Sequence, residues 1–329
     1  DTSLRITTEA AEAGSRLVPS NTVLAVVRGM SLANEFRIAI TRREVAFNQD
    51  LKAFACVPDV ESEFLFYALL ARREYIRNLA TEASHGTKKL ETDVLASVQI
   101  AVPQPEIQRQ AVSILASYDD LIENNRRRMT LLEESARLLY REWFVLLRFP
   151  GYEHTRISDG VPEGWEKKTL GECITLNYGK ALKAEVRIDG EYPVYGSSGI
   201  VGSHEKPLVK GPAIILGRKG NVGSVYWSSK SFYPIDTVYF VDAESSSLYL
   251  YYALKHMHFI STDVAVPGLN RDFAYSRPLL RRTATMLRAF LETVTPIHAQ
   301  LDKLDEMNQK LRTARDLLLP RLMSGEIAV

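Results

Sequence analysis

Cysteine is almost absent: Cys56 and Cys173 are the only two in 329 residues. They cannot build a disulfide framework or a structural zinc site, and their scarcity suits a reducing cytoplasm. Long apolar runs are missing too. No stretch approaches the roughly 18 residues that span a bilayer, and no segment reads as a signal peptide. An excess of one charge is also lacking, since 41 Lys and Arg stand against 40 Asp and Glu for a net charge of +1. Any basic face must therefore be local.

Catalytic signatures are equally scarce. The Gly217–Ser224 stretch GRKGNVGS lacks the Lys-Ser or Lys-Thr pair after its last glycine, and a strand rather than a helix is predicted to follow, so it is not a phosphate loop. Ser197 and Ser198 lie between Gly-rich turns and not on a strand-to-helix elbow. His256 and His258 stand two apart on a predicted helix and point to different faces, which is wrong for a shared metal. Neither the Asp-Pro-Pro-Tyr nor the Asn-Pro-Pro-Tyr signature of amino-methylating enzymes is present. The expectation is a chain without catalytic residues, metal or cofactor of its own.

What the chain does have is two long heptad seams. The first runs from about residue 106 to 148 through Ile107, Ala111, Ile114, Tyr118, Leu121, Met129, Leu132, Ala136, Leu139, Trp143 and Leu146, with Asn125 as its polar member. The second runs through Met286, Phe290, Val294, Ile297, Leu301, Leu304, Leu311, Ala314 and Leu318. A seam of this kind needs a partner helix, and the two are expected to pair antiparallel. A single polar seam residue fixes register at some cost in stability, which is the role expected of Asn125.

The seams also match each other at a constant offset, Ile107 with Met286, Phe290 with Ala111, Ile122 with Leu301 and Leu139 with Leu318. Upstream, Arg28 answers to Arg218, Asp50 to Asp236, Tyr67 to Tyr252, and His85-Gly86 to Pro267-Gly268. Ordered matches in strands and turns point to an internal duplication and not to a chance likeness of helices. The expected fold is α+β: two sheet-rich domains related by the repeat, at 1–104 and 150–282, separated by long helices at 105–149 and 283–329. Trp165 stands 53 positions before Arg218 while only 27 residues precede Arg28, so the first domain reads as shortened at its start.

Within the domains, strands are expected at 17–28, 37–40, 45–47, 93–102, 165–176, 192–195, 213–216, 222–227 and 237–241, and helices at 62–78 and 247–259. The second domain carries three Gly-rich loops with unusual chemistry, at 195–204, 217–224 and 266–273. Arg and Lys can bond guanine edges bidentately and Asn can bond adenine, so these loops are candidates for reading a major groove. The residues singled out are Tyr195, Ser198, His204, Arg218, Lys219, Asn221, Asn270 and Arg271, with Arg28, Lys88 and Lys89 in the first domain. The plainer alternative is hairpin turns flanked by solvated cations.

The order VPEGWEKKTLGE, YPVYGSSGIVGSHEKPLVKGPAIILGRKGNVGSVYW, FYPIDTVYF and a closing LLLPRLMSGEI resembles the DNA specificity subunit of type I restriction-modification enzymes. AFNQDLKAF, GTKKL and QPEIQRQAVSILASYDDLIENNRR resemble the same family, so the likeness covers nearly the whole chain. The resemblance implies two target recognition domains, each reading one half of a bipartite double-stranded DNA site, with the helices forming an antiparallel coiled coil between them. It implies a non-catalytic subunit that scaffolds two modification (methyltransferase) subunits and restriction/translocase subunits, which would bring S-adenosylmethionine, ATP and Mg. Glu133, Arg137, Tyr140, Trp143, Arg315, Leu319 and Arg321 are the candidate partner surface. Two other readings stay open: the specificity half of a single-chain restriction and methylation enzyme, and a coiled-coil interaction protein with no DNA role.

Overall fold

The computed structural model describes residues 5–83, 86–260 and 268–327. His85, Val266 and Pro267, which figure in the repeat and in the third Gly-rich loop, lie outside the described residues. The chain forms two compact units, residues 1–126 with 306–329 and residues 127–305. Helix Pro105–Tyr140 and helix Ala284–Met323 each contribute to both. No described helix is long and apolar enough to cross a membrane.

In the first unit, strand Val23–Val26 sits between Ile38–Ile40 and Leu51–Phe54 in an antiparallel sheet. A second small sheet joins Arg28–Gly29, Lys88–Lys89 and Thr81–Glu82. Val23, Ala25 and Val27 alternate onto one face and pack with Leu32, Phe36, Leu69, Ile76 and Leu90. Helix Ser62–Ala71 buries Phe64, Tyr67 and Ala68 on its other side against Ala111, Val112 and Leu115 of the central helix and Leu319, Leu322 and Met323 of the last helix. One short helix thus joins the sheet to the helix pair.

In the second unit, an antiparallel sheet runs in the order Asn177–Tyr178, Val238–Val241, Ala213–Gly217, Val225–Ser228. Beside it, Tyr192–Gly196 pairs antiparallel with Gly199–His204 and parallel with Tyr233–Pro234. All five residues of Ala213–Gly217 are buried. Ile214 and Leu216 face a core with Tyr249, Tyr252, Leu254, Ala136, Tyr140, Phe144, Phe290 and Val294, while Ala213 and Ile215 face Tyr195, Phe232 and Val238. Helix Leu248–His256 starts at Ser247, whose hydroxyl accepts from the Leu250 N–H.

The duplication is visible in hydrogen bonds. Tyr67 Oη donates to Asp119 at 2.8 Å, and Tyr252 Oη meets His298 Nε2 at 2.8 Å, so Tyr67 matches Tyr252 and Asp119 matches His298 at the helix offset. The strands require a one-residue correction. The N–H groups of Val27 and Arg28 both donate to Asp50 O, and those of Arg218 and Lys219 both donate to Thr237 O. Leu90 N–H donates to Val27 O as Leu269 N–H donates to Arg218 O. Arg28 therefore answers to Lys219, Val27 to Arg218 and Asp50 to Thr237; shared residue type had drawn the match one place aside.

The central seam also differs from expectation. Ile107, Ile114 and Leu121 are 42%, 39% and 48% exposed, while Ala111, Leu115, Ile122, Asn125 and Ala136 are buried. Gln108 takes the inner position instead of Ile107, at 0% exposure. Its amide is fully used: Nε2 donates to Asp59 O and Pro103 O, both at 2.8 Å, and Oε1 accepts from Glu61 N–H at 2.9 Å. Asn125 holds its expected place and meets a second buried amide, Nδ2 donating to Asn308 Oδ1 at 3.0 Å.

Local boundaries shift for identifiable reasons. Residues 93–102 form no strand; Thr92–Ala96 is a short helix that buries Leu95. The expected strand at 165–176 is Glu166–Thr169 followed by helix Leu170–Cys173, entered through a capping box in which Glu172 accepts from Thr169 N–H. The helix expected at 62–78 breaks at Arg72, and the central helix gives way after Tyr140 to a π turn at Arg141–Val145. Gly199–His204, expected as loop, is a strand. His258 follows the end of its helix, and its ring lies 6.4 Å from that of His256. No group of three or more metal-ligating residues occurs among the described residues.

Candidate nucleic-acid interface

In the second unit, three loops meet beyond the end of the buried strand Ala213–Gly217. The 217–224 loop folds back on itself, Gly223 N–H donating to Gly217 O at 2.9 Å and Gly217 N–H to Ser224 O at 2.7 Å. A Cβ on Gly217 would stand 2.2 Å from Ser224 Oγ and 2.3 Å from Asn221 O, so only glycine closes this turn. The 195–204 hairpin tip is tied to it: Ser224 Oγ and Tyr226 Oη both donate to Ser197 O, at 2.6 and 3.2 Å. The 268–271 segment joins through the bridge of Lys219 with Gly268. Arg218, Lys219, Asn221, Ser198, Asn270 and Arg271 are thereby gathered in one region, with Lys219, Asn221 and Ser198 exposed.

Three of the expected reading residues serve the fold itself. Tyr195 is 7% exposed and packs edge-on against Phe232 at 5.5 Å, and burial pushes its phenol up. Asn270 caps helix Arg271–Tyr275, its Oδ1 accepting from the N–H groups of Asp272 and Phe273. His204 stands at the far end of its strand from the tip; its Nδ1 accepts from Ile188 N–H at 3.2 Å and its ring packs edge-on against Tyr233.

Tyr178 belongs to the same region and was not expected there. The Arg218 guanidinium lies 5.0 Å from its ring centroid and the Arg271 guanidinium 5.3 Å. Arg218 also donates to Asp236 O at 2.9 Å. Tyr239 beneath them is 2% exposed and donates to Leu269 O; burial, with Tyr178 beside it, pushes its phenol up to about 12. The signal for Tyr178 was weak: one aromatic in a short edge strand before Gly179.

In the first unit, Arg28 lies directly across from Lys89 and Gly29 across from Lys88. All three expected basic residues are therefore neighbours on one small sheet, with Arg28 exposed and the lysines half-buried. Lys89 Nζ is 2.7 Å from Glu91. By the hydrogen-bond register, Arg28 and Lys89 occupy the places of Lys219 and Gly268, so both units put a cation at one shared point of the repeated fold, Arg28 in the first and Lys219 in the second.

The residues expected at a partner surface divide into two groups. Tyr140 and Leu319 are 7% and 3% exposed and belong to the cores of their own units. Trp143 packs on Phe144 and Phe290. Arg315 pairs with Asp119 and Asp316. Burial alone would raise Glu133, yet the Lys255 ammonium and the Tyr251 hydroxyl hold its carboxyl below the ordinary value. All five have partners within their own unit, which a heptad pattern does not distinguish from contact with another chain. Arg137 and Arg321 remain at the surface, paired with Glu134 and Glu326.

Known proteins share the repeated sequence and the fold. The family model for the type I restriction modification DNA specificity domain matches twice, at residues 9–134 and 162–272. The MjaIX specificity subunit of Methanocaldococcus jannaschii is 23% identical over 97% of this chain and 80% of its own length. The HindI specificity subunit of Haemophilus influenzae is 22% identical over 80% of this chain and 77% of its own. The crystal structure of a type I restriction-modification S subunit from M. genitalium shares the fold, with a TM-score of 0.55, 19% identity, and coverage of 93% of this chain and 83% of that one. A repeated match over most of the sequence, on a fold built twice around a helix pair, places this chain in the type I restriction-modification DNA specificity family.

Proposed function

We propose that the chain is the specificity subunit of a type I restriction-modification system and reads a bipartite double-stranded DNA site, one half with each unit. The observation that carries this is a repeated cation: Arg28 in one unit and Lys219 in the other occupy the same point of the repeated fold, with Lys88 and Lys89 beside the first and Arg218 and Arg271 near the second. Each group of loops contributes phosphate contacts, which position the protein, and a smaller set of base contacts, which specify the sequence. Lys219, Asn221 and Ser198 are the base-reading candidates, being exposed and mounted on turns closed by backbone hydrogen bonds.

In this reading the paired helices set the spacing between half-sites. A rigid spacer fixes groove-to-groove distance only while its heptads stay in register. The chain itself performs no chemistry. Two modification subunits bring S-adenosylmethionine and methyl transfer, and restriction subunits bring ATP, Mg and cleavage, all within the cytoplasm. The exposed heptad row Ile107, Ile114 and Leu121 and the surface arginines Arg137 and Arg321 are available for such partners.

The test is selection from a pool of random duplexes by the chain co-expressed with its modification subunits, at two salt concentrations. Two short motifs at one fixed gap are expected. Binding without sequence preference at either salt would overturn the proposal. Inserting one heptad in each helix is expected to lengthen the gap and leave both motifs unchanged.

A further inference from the structure

Tyr178 is a large aromatic left 49% exposed in the centre of a row of alternating rings and cations. The row runs Tyr239, Arg218, Tyr178, Arg271, Tyr275, with successive guanidinium-to-ring distances of 5.7, 5.0, 5.3 and 5.9 Å. Both ends are anchored in the fold. Tyr239 Oη donates to Leu269 O at 3.1 Å, and Tyr275 Oη accepts from Leu176 N–H at 2.9 Å.

The two guanidiniums are thus held by ring faces and, for Arg218, by the Asp236 carbonyl. Among the described residues neither forms an ion pair, although the exposed Asp236 and Asp272 are close in sequence. Two like charges gathered about one exposed ring repel each other, and an anion lying across both turns that repulsion into attraction. A guanidinium presents a planar fork that matches phosphate geometry, and one whose plane is already fixed loses less freedom on binding. The Tyr178 ring is the one contact that both guanidiniums share.

Resting on the DNA-reading role proposed above, we infer that Arg218, Tyr178 and Arg271 form a clasp for a backbone phosphodiester of the DNA. Arg218 and Arg271 make the contact, and Tyr178 is the positioning residue that sets their planes. The clasp supplies affinity and register to the second unit, and the reading of bases falls to the neighbouring turn at Lys219 and Asn221.

The experiment uses the full chain co-expressed with its modification subunits, as wild type and as Tyr178→Ala, Tyr178→Phe and Arg271→Ala. Each is put through random-duplex selection, and affinity for the enriched duplex and for a scrambled one is then measured across a salt series. In Tyr178→Ala two arginine side chains that were held in place must be ordered on binding, which is expected to weaken binding to both duplexes about five- to thirtyfold, with the enriched motif unchanged. Tyr178→Phe keeps the ring and is expected to match wild type. Arg271→Ala is expected to flatten the log–log salt slope by about 0.9. Unchanged affinity in Tyr178→Ala overturns the clasp, and so does an altered motif with an intact salt slope, which would make Tyr178 a base reader. A wild type that enriches no motif overturns the DNA-reading role itself, and is seen before any variant is compared.

Discussion

Replacing Asn125 by leucine isolates what the buried amide pair contributes. Asn125 and Asn308 are 4% and 1% exposed, and their side chains meet at 3.0 Å in the first unit. In Asn125→Leu the Asn308 amide loses that partner in a place water does not reach. Removing the donor of this buried amide hydrogen bond costs about 1–3 kcal/mol, which lowers the unfolding midpoint of a unit of this size by roughly 2–12 °C. Replacing both residues by leucine removes the polar groups together and is expected to restore most of the loss, or to exceed wild type, as apolar substitutes for buried polar pairs do. The assay is a double-mutant cycle on the full chain, followed by thermal unfolding, with the selected DNA gap as a second readout. The expected signature is strong non-additivity in stability, together with a broadened distribution of gaps in the double variant, because a seam without its polar pair no longer prefers one register. Additive losses, or a doubly substituted chain with an unchanged single gap, would refute the idea that the pair specifies register.

Burial holds the His298 imidazole down to about 4, with the Glu133 carboxylate opposing and the Lys255 ammonium assisting. The unfolded chain takes up a proton there near pH 6.5 and the folded chain does not until about pH 4, so this contribution is complete above pH 6.5 and is lost as pH falls between those values. The loss is of order 3 kcal/mol, and urea unfolding at pH 7 and pH 5 is expected to show a smaller difference in His298→Gln than in wild type. Lys219→Ala is expected to weaken DNA binding and to reduce the salt slope by about 0.9 if the ammonium meets phosphate; a relaxed base preference with the slope intact marks it as a base reader instead. Leu115→Ala empties a fully buried site between the short helix and the helix pair and is expected to cost about 2–5 kcal/mol, read as a fall in urea midpoint. A loss below 1 kcal/mol would mean that the site collapses.

The architecture was legible because its signals are redundant. A heptad repeated over tens of residues, and then repeated again at a fixed offset, survives local ambiguity. Position-level readings failed where a single residue decides between neighbours. Ile107 and Gln108 compete for one inward place, and the apolar residue loses because Gln108 bonds two carbonyls and one N–H there. Arg28 and Arg218 matched by type, while backbone hydrogen bonds pair Arg28 with Lys219. At the candidate interface, charge and exposure were readable for Lys219 and Asn221. Tyr195 packs and Asn270 caps a helix, roles that suit Tyr and Asn as well as base contact does. Tyr178 was invisible because its meaning comes from two arginines far along the chain.

Strand Ala213–Gly217 has consequences for how binding preference could diverge. Its side chains are committed alternately to two cores, and a change there disturbs one or the other. Commitment ends abruptly: Arg218 is half-buried, and Lys219 and Asn221 are exposed. Substitution of exposed residues away from such packing usually shifts stability by no more than about 0.5 kcal/mol. The loop beyond Gly217 is therefore free to explore new chemistry while the scaffold that aims it is held constant, and evolvability is confined to the few positions where it alters recognition and spares the fold.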